Sequence, residues 1–179
     1  MSGPDGPWMY LSDSLLKVVV AMRRTYQVLG YLFAALVFLQ AGAIVWFISG
    51  LFRWIEDGAY LDAAILAERG DPHFTEEIGI AVHSLNGTYV IPVVALAMLV
   101  VSFFTKDRRA TIAAAVLLVL VIVQQYLGFF GPEFPIAGLM HGFNALVLLL
   151  VAVFASVRMG RRIRALGGPD MPAPHVSAE

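Results

Sequence analysis

The chain of 179 residues has no cysteine and little charge: 14% of its residues are charged and 59% are hydrophobic. Without cysteine it forms no disulfide, thiolate metal site, iron–sulfur cluster or covalent c-type haem attachment. A net charge of -1 leaves no basic domain for nucleic acid. The sequence also has no P-loop, Gly-rich dinucleotide fingerprint or nucleophile elbow. A soluble domain carries far more charge, so this composition predicts a membrane protein with the lipid bilayer as its environment.

Long apolar runs are abundant, and four of them reach the roughly 20 residues that a helix needs to cross the hydrocarbon core. They are Gly30 to Phe52, Ile78 to Phe104, Ala110 to Phe130, and Ile136 to Val157. Short connectors join the second, third and fourth runs, so neighbouring helices are predicted to be antiparallel. The predicted fold is all-α, a transmembrane up-down four-helix bundle with a weak two-fold internal repeat.

Basic residues are concentrated at one end of the predicted spans, and the loop at the other end has two arginines against seven acidic residues. Lys and Arg precede the first span, separate the second from the third and follow the fourth, whereas the loop 53–77 is acidic. The positive-inside rule therefore predicts a multi-pass protein of the bacterial cytoplasmic (inner) membrane with both termini in the cytoplasm.

Three segments are predicted along the chain: a cytoplasmic N-terminal segment 1–24, a transmembrane domain 25–160 with an outer loop 53–77, and a disordered cytoplasmic tail 161–179. The sequence allows two structures for part of the N-terminal segment. Residues Trp8 to Met22 form either an amphipathic helix on the membrane surface or an uninterrupted extension of the first span.

The two halves of the chain carry similar polar residues. A histidine, an asparagine three residues later and then a small residue occur in the second and fourth spans: His83, Asn86, Gly87 and His141, Asn144, Ala145. The first and third spans carry Gln40 and Gln124 at similar distances from their basic flanks. Counting the helical rise predicts that all these residues share one level in the outer leaflet. Such a repeat favours a site where the two halves meet.

A histidine in hydrocarbon needs a partner, and no Asp, Glu, Lys or Arg lies within the four predicted spans. Two neutral imidazoles at one depth on diagonal helices can bind an iron from opposite faces, so His83 and His141 are predicted ligands of a haem b. The candidates that would fix the histidine tautomers are the side chains of Asn86, Asn144, Gln40 and Gln124. Small neighbours are predicted to leave room for the macrocycle: Gly79, Gly87, Gly138 and Ala145.

Three functions stay open from these residues. The first is an electron-transfer protein that exchanges electrons with a quinone or a partner protein. The second is a cofactor-free accessory subunit of a larger membrane complex, whose polar layer only fixes the helix register. The third is a bundle that binds a lipid-like ligand in an outer cavity. The residues leave open whether the chain is an enzyme.

Two stretches resemble known families. QQYLG at 124–128 followed by PIAGLMHGFNAL at 135–146 is similar to the Q-x-x-L-G and haem-ligating histidine of the haem A synthase superfamily. That resemblance to one half of the superfamily's fold implies His141 and His83 as axial ligands of a b-type haem. Ser84 follows His83 where that enzyme has Arg, so haem A synthesis is not implied.

A second resemblance covers most of residues 20–160. FTEEIGIAVHSLNG from Phe74 and MHGFNAL from Met140 resemble an uncharacterised family of small four-span bacterial membrane proteins. This resemblance implies a four-span fold and no particular activity.

Overall fold

The computed structural model describes residues 7–68 and 70–166, which form helices joined by short connectors. The helices are α1 Pro7–Glu56, α2 Ala63–Ala67, α3 Ile78–Leu85, α4 Ile91–Phe104, α5 Arg108–Phe130 and α6 Pro135–Leu166. A 3-10 turn, Thr75–Glu77, leads into α3, and a π-helical turn, Asn86–Val90, joins α3 to α4. No strand occurs in the described ranges, so the all-α prediction is confirmed.

Four stretches of helix are long and apolar enough to cross a membrane: Ser14–Glu56, Thr75–Phe104, Arg108–Phe130 and Pro135–Leu166. Each contains one of the predicted spans. The spans pack in a ring, in which α1 contacts α4 and α6, and α5 contacts the same two helices. The second and fourth spans are therefore diagonal to each other, which confirms the four-helix bundle.

The two ends of the bundle differ in charge. We call one the basic end; it comprises the start of the first span, the α4–α5 turn and the last turns of α6. Its basic side chains are Lys17, Arg23, Arg24, Lys106, Arg108, Arg109, Arg158, Arg161, Arg162 and Arg164. We call the opposite end the loop end; it carries the connector 57–77 and the α5–α6 turn.

The buried core fills the half of the bundle nearer the basic end. Its largest members are Tyr26, Phe33, Met98, Leu117, Leu148 and Met159. Towards the loop end, by contrast, no described residue of α5 after Val121 or of α6 before Leu148 is fully buried. The residues of α5 and α6 in the loop half are therefore more exposed than those in the basic half.

Asp107 ties the α4–α5 turn to α6 at the basic end. Its Oδ1 accepts from the backbone N–H of Arg109 at 3.1 Å and caps α5. Its Oδ2 accepts from Arg158 Nη1 at 3.0 Å and lies 3.4 Å from Arg162 Nε. Burial alone would raise the pKa of the Asp107 carboxyl, but the hydrogen bond and charge of Arg158 outweigh burial and lower that pKa. The carboxylate is thus held ionised between two arginines.

Two helix boundaries differ from the sequence prediction. Helix α1 is unbroken from Pro7, so Trp8 to Met22 continues the first span, as in the second of the two alternatives. No Gly or Pro lies between Pro7 and Gly30 to interrupt that helix. Helix α6 likewise continues to Leu166, so the tail predicted from residue 161 is helical up to that point. Residues 1–6 and 167–179 lie outside the described residues.

Candidate functional site

Two histidines from diagonal spans face each other in the half of the bundle nearer the loop end. The ring centroids of His83 in α3 and His141 in α6 are 6.0 Å apart, and the ring planes are inclined by 48°. Both residues are half-buried. The prediction that these histidines share one level is confirmed.

Each histidine is held by a reciprocal pair of hydrogen bonds to a glutamine on the neighbouring helix. His83 Nδ1 lies 3.2 Å from the backbone oxygen of Gln40, whose Nε2 donates to the His83 carbonyl at 2.9 Å. His141 Nδ1 lies 3.0 Å from the backbone oxygen of Gln124, whose Nε2 donates to the His141 carbonyl at 3.0 Å. A carbonyl oxygen only accepts, so Nδ1 carries the proton and Nε2 keeps its lone pair.

The two asparagines make equivalent contacts one turn further along. Asn86 Nδ2 donates to the Leu36 carbonyl at 3.2 Å, and Asn144 Nδ2 donates to the Leu120 carbonyl at 2.9 Å. Leu36 and Leu120 each precede their glutamine by four residues, which is about one helical turn. The same positions therefore make the same bonds in the pair α1–α3 and the pair α5–α6, so the internal repeat exists in three dimensions.

The halves differ in the contacts of their amide oxygens. In the second half, Gln124 Oε1 accepts from Asn144 Nδ2 at 2.7 Å. In the first half, Gln40 Oε1 and Asn86 Oδ1 are buried and have no hydrogen-bond partner among the described residues. Asn86 is also where the π-helical turn begins.

The structure brings the predicted glutamines, but not the predicted asparagines, to the imidazoles, and the accepting atoms differ from those predicted. Backbone carbonyls of Gln40 and Gln124 accept from the imidazoles, whereas the side-chain amides were predicted to do so. The four amide side chains instead bind backbone carbonyls across each helix pair. A helix carbonyl can accept this second bond because it has two lone pairs.

The prediction for the glycines of the second span was also wrong. A Cβ on Gly79 would collide with the Ala43 carbonyl and with Phe47, and a Cβ on Gly87 would collide with Gln40 Nε2. These glycines therefore let the second span approach α1 closely, and the space at their Cβ positions is occupied by α1.

Gly128 is a site residue that the prediction missed. A Cβ there would lie 2.9 Å from His141 Cε1, so only glycine lets this imidazole rest against α5. The available signal was a glycine inside a helix-forming run, one turn after Gln124.

A third histidine lies outside this layer, in the connector at the loop end. His73 Nε2 is 3.2 Å from Glu68 Oε2, and its Nδ1 is 3.3 Å from Glu77 Oε2. The hydrogen bond to Glu68, together with Glu77, raises the pKa of the His73 imidazole. Because both ring nitrogens face carboxylates, the contact is complete only when the ring is protonated.

No family model, curated protein or solved structure matches the chain. In the described part of the chain, no three or more His, Cys, Asp or Glu side chains cluster so that they could hold a metal ion. A metal between His83 and His141 would therefore need its other ligands from the group that carries it, as a porphyrin provides for iron.

Proposed function

We propose that the protein is a membrane electron-transfer protein in which His83 and His141 bind one haem b. The supporting observation is the 6.0 Å separation of the two ring centroids. An imidazole nitrogen lies about 2.0 Å from the metal it binds, and its ring centroid about 1.1 Å further, so two imidazoles on opposite sides of one ion have centroids about 6 Å apart. His83 and His141 would therefore hold one haem iron between them at the centroid distance that they have here.

The hydrogen bonds around the histidines support the same function. The Gln40 and Gln124 carbonyls orient each ring, select the tautomer with a free Nε2 and increase its basicity. Asn86 and Asn144 fix the register of each helix pair one turn away. A bound haem would supply one-electron redox chemistry, and the protein supplies the axial ligands and an apolar surrounding.

The charge distribution supports an orientation for this site. With the basic end in the cytoplasm, as the positive-inside rule requires, the histidines lie towards the outer face of a bacterial inner membrane. The proposed electron partner is a quinone in the bilayer or a protein that docks at the loop end.

The test is an absorption spectrum of protein purified in detergent after expression with a haem supply, in the oxidised and the dithionite-reduced state. We expect a Soret band and sharp reduced α and β bands. His83→Ala and His141→Ala should each abolish the low-spin spectrum. His73→Ala is the matched control and should retain it, because His73 lies outside the layer.

A colourless protein under haem-replete conditions would contradict the proposal. The polar layer would then fix the helix register of a cofactor-free bundle, since interhelical hydrogen bonds of this kind stabilise membrane helices by about 0.6 kcal/mol or more each. Co-purification with a larger complex would then favour the accessory subunit. An extractable lipid-like molecule would favour the ligand-binding bundle.

A further inference from the structure

A cavity of about 170 Å³ lies between α5 and α6 at the basic end, far from the histidines. One water molecule takes about 30 Å³ in the liquid, so the cavity has room for a larger group. Arg109 and Arg158 line its polar part, and Ala113, Phe154 and Ala155 line its apolar part. The buried Tyr26 of α1 contributes to the wall as well.

The arginines of this cavity have capacity for an anion. Arg158 uses Nη1 for Asp107, whereas its Nη2 is buried and has no hydrogen-bond partner among the described residues. Asp107 is already engaged by Arg158, Arg162 and the Arg109 backbone, and it does not line the cavity. The cavity therefore has the positive charge of two guanidinium groups, which matches a phosphate oxygen.

The apolar part of the cavity distinguishes a lipid from a free anion. Phe154 is 71% exposed on the outside of the bundle, and Ala113 lies one turn from Arg109 towards the middle of the span. A molecule whose phosphate contacts the arginines can therefore lay a hydrocarbon chain along α5 and α6. The basic ends of membrane spans are also where anionic headgroups are found.

We propose that this cavity binds the phosphate group of an anionic membrane lipid, with an acyl chain along the groove between α5 and α6. Arg158 and Arg109 contact the phosphate oxygens, and Ala113 and Phe154 contact the chain. The site is independent of the proposed haem site.

The test is native mass spectrometry of the full chain in detergent, titrated with phosphatidylglycerol. Arg109→Gln and Arg108→Gln are a matched pair, because both remove one exposed charge at the start of α5 and only Arg109 lines the cavity. Arg109→Gln should weaken binding about fivefold, and Arg108→Gln should leave it within about twofold. Ala113→Phe fills the apolar part without changing charge and should also weaken binding.

Three outcomes overturn the proposal. Equal losses in Arg108→Gln and Arg109→Gln would show a diffuse attraction to the basic end. Equal binding of phosphatidylcholine would show an apolar contact without recognition of anionic charge. Saturable binding of inorganic phosphate without retention of phosphatidylglycerol would assign the arginines to a free anion.

Discussion

Replacement of Gly128 by alanine should disturb His141 and little else. A Cβ at this position would lie 2.9 Å from Cε1 and 3.0 Å from Nδ1 of the His141 imidazole, which is tighter than ordinary contact. The ring is also tied to the Gln124 carbonyl at 3.0 Å, so it can move away only by stretching that hydrogen bond. Gly142 is the matched control, because a Cβ there meets nothing within 4 Å.

The two alanine variants should differ in stability by about 1–2 kcal/mol. Replacing glycine by alanine inside a helix gains about 1 kcal/mol, and Gly142→Ala should show this gain in full. In Gly128→Ala the gain is offset by the loss of one hydrogen bond, about 1 kcal/mol, and by repacking of the ring. Gly128→Ala should therefore be no more stable than the natural sequence.

Haem binding should separate the same two variants more strongly. Loss of a contact that orients a metal ligand typically lowers affinity by about 10–100-fold, so Gly128→Ala should bind haem weakly and Gly142→Ala normally. The assays are reversible unfolding in mixed detergent micelles and a haem titration followed by absorbance. Equal unfolding free energies in both variants would refute the packing argument. Equal haem affinities would refute the role assigned to the His141 contact.

Other consequences concern the basic end, the connector and the π-helical turn. Asp107→Ala should lower the unfolding free energy by about 3 kcal/mol, because α5 loses its cap and Arg158 loses its counter-ion. Asp107→Asn can still cap α5, so it should lower the unfolding free energy by less. Because the pKa of His73 is raised, its contacts with the two carboxylates are complete below pH 6.5 and weaken as pH rises through that pKa. Hydrogen-exchange protection of residues 63–77 should therefore fall as pH rises. His73→Gln should abolish this pH dependence. Deletion of Thr88 from the π-helical turn should change the unfolding free energy by about 1 kcal/mol or less. Deletion of Leu146, five residues after His141, should prevent correct folding. This second deletion rotates His141 by about 100° relative to the core face of α6. Circular dichroism melts of the two deletions decide this point.

The shared level of the polar residues was predictable because helical rise depends only on residue number. The rotation of each helix was not predictable in the same way. In a membrane the lipid-facing side of a helix is as apolar as its packed side, so the spans carry little periodic signal for the face that contacts a neighbour. That rotation decides whether the His83 imidazole contacts the side chain of Gln40 or its backbone carbonyl. For the same reason the sequence does not reveal that Gly79 and Gly87, predicted to leave room for a macrocycle, are points of close contact with α1.

The unbroken helix α1 and the long α6 show a second limit of span prediction. Hydropathy defines where a helix is apolar enough to cross the hydrocarbon core, and the helix itself ends only where a Gly, a Pro or a cap stops it. Arg161 to Leu166 is too polar for a span yet contains no breaker, so α6 continues through Leu166.

The internal repeat also accounts for the π-helical turn. After His141, the buried residues of α6 occur 7, 11, 14, 15, 18 and 19 positions later: Leu148, Ala152, Ala155, Ser156, Met159 and Gly160. After His83, the buried residues of α4 occur 8, 11, 12, 15 and 19 positions later: Ile91, Val94, Ala95, Met98 and Ser102. A shift of one position aligns four buried residues of α4 with four of α6. The spacing from histidine to asparagine is the same in both halves, so this shift corresponds to one extra residue after Asn86 in the first half. A π turn holds one residue more than an α turn and absorbs this insertion, which keeps both His83 and the core face of α4 in register. At the start of that turn the two polar networks differ, because Asn86 does not donate to Gln40 as Asn144 does to Gln124.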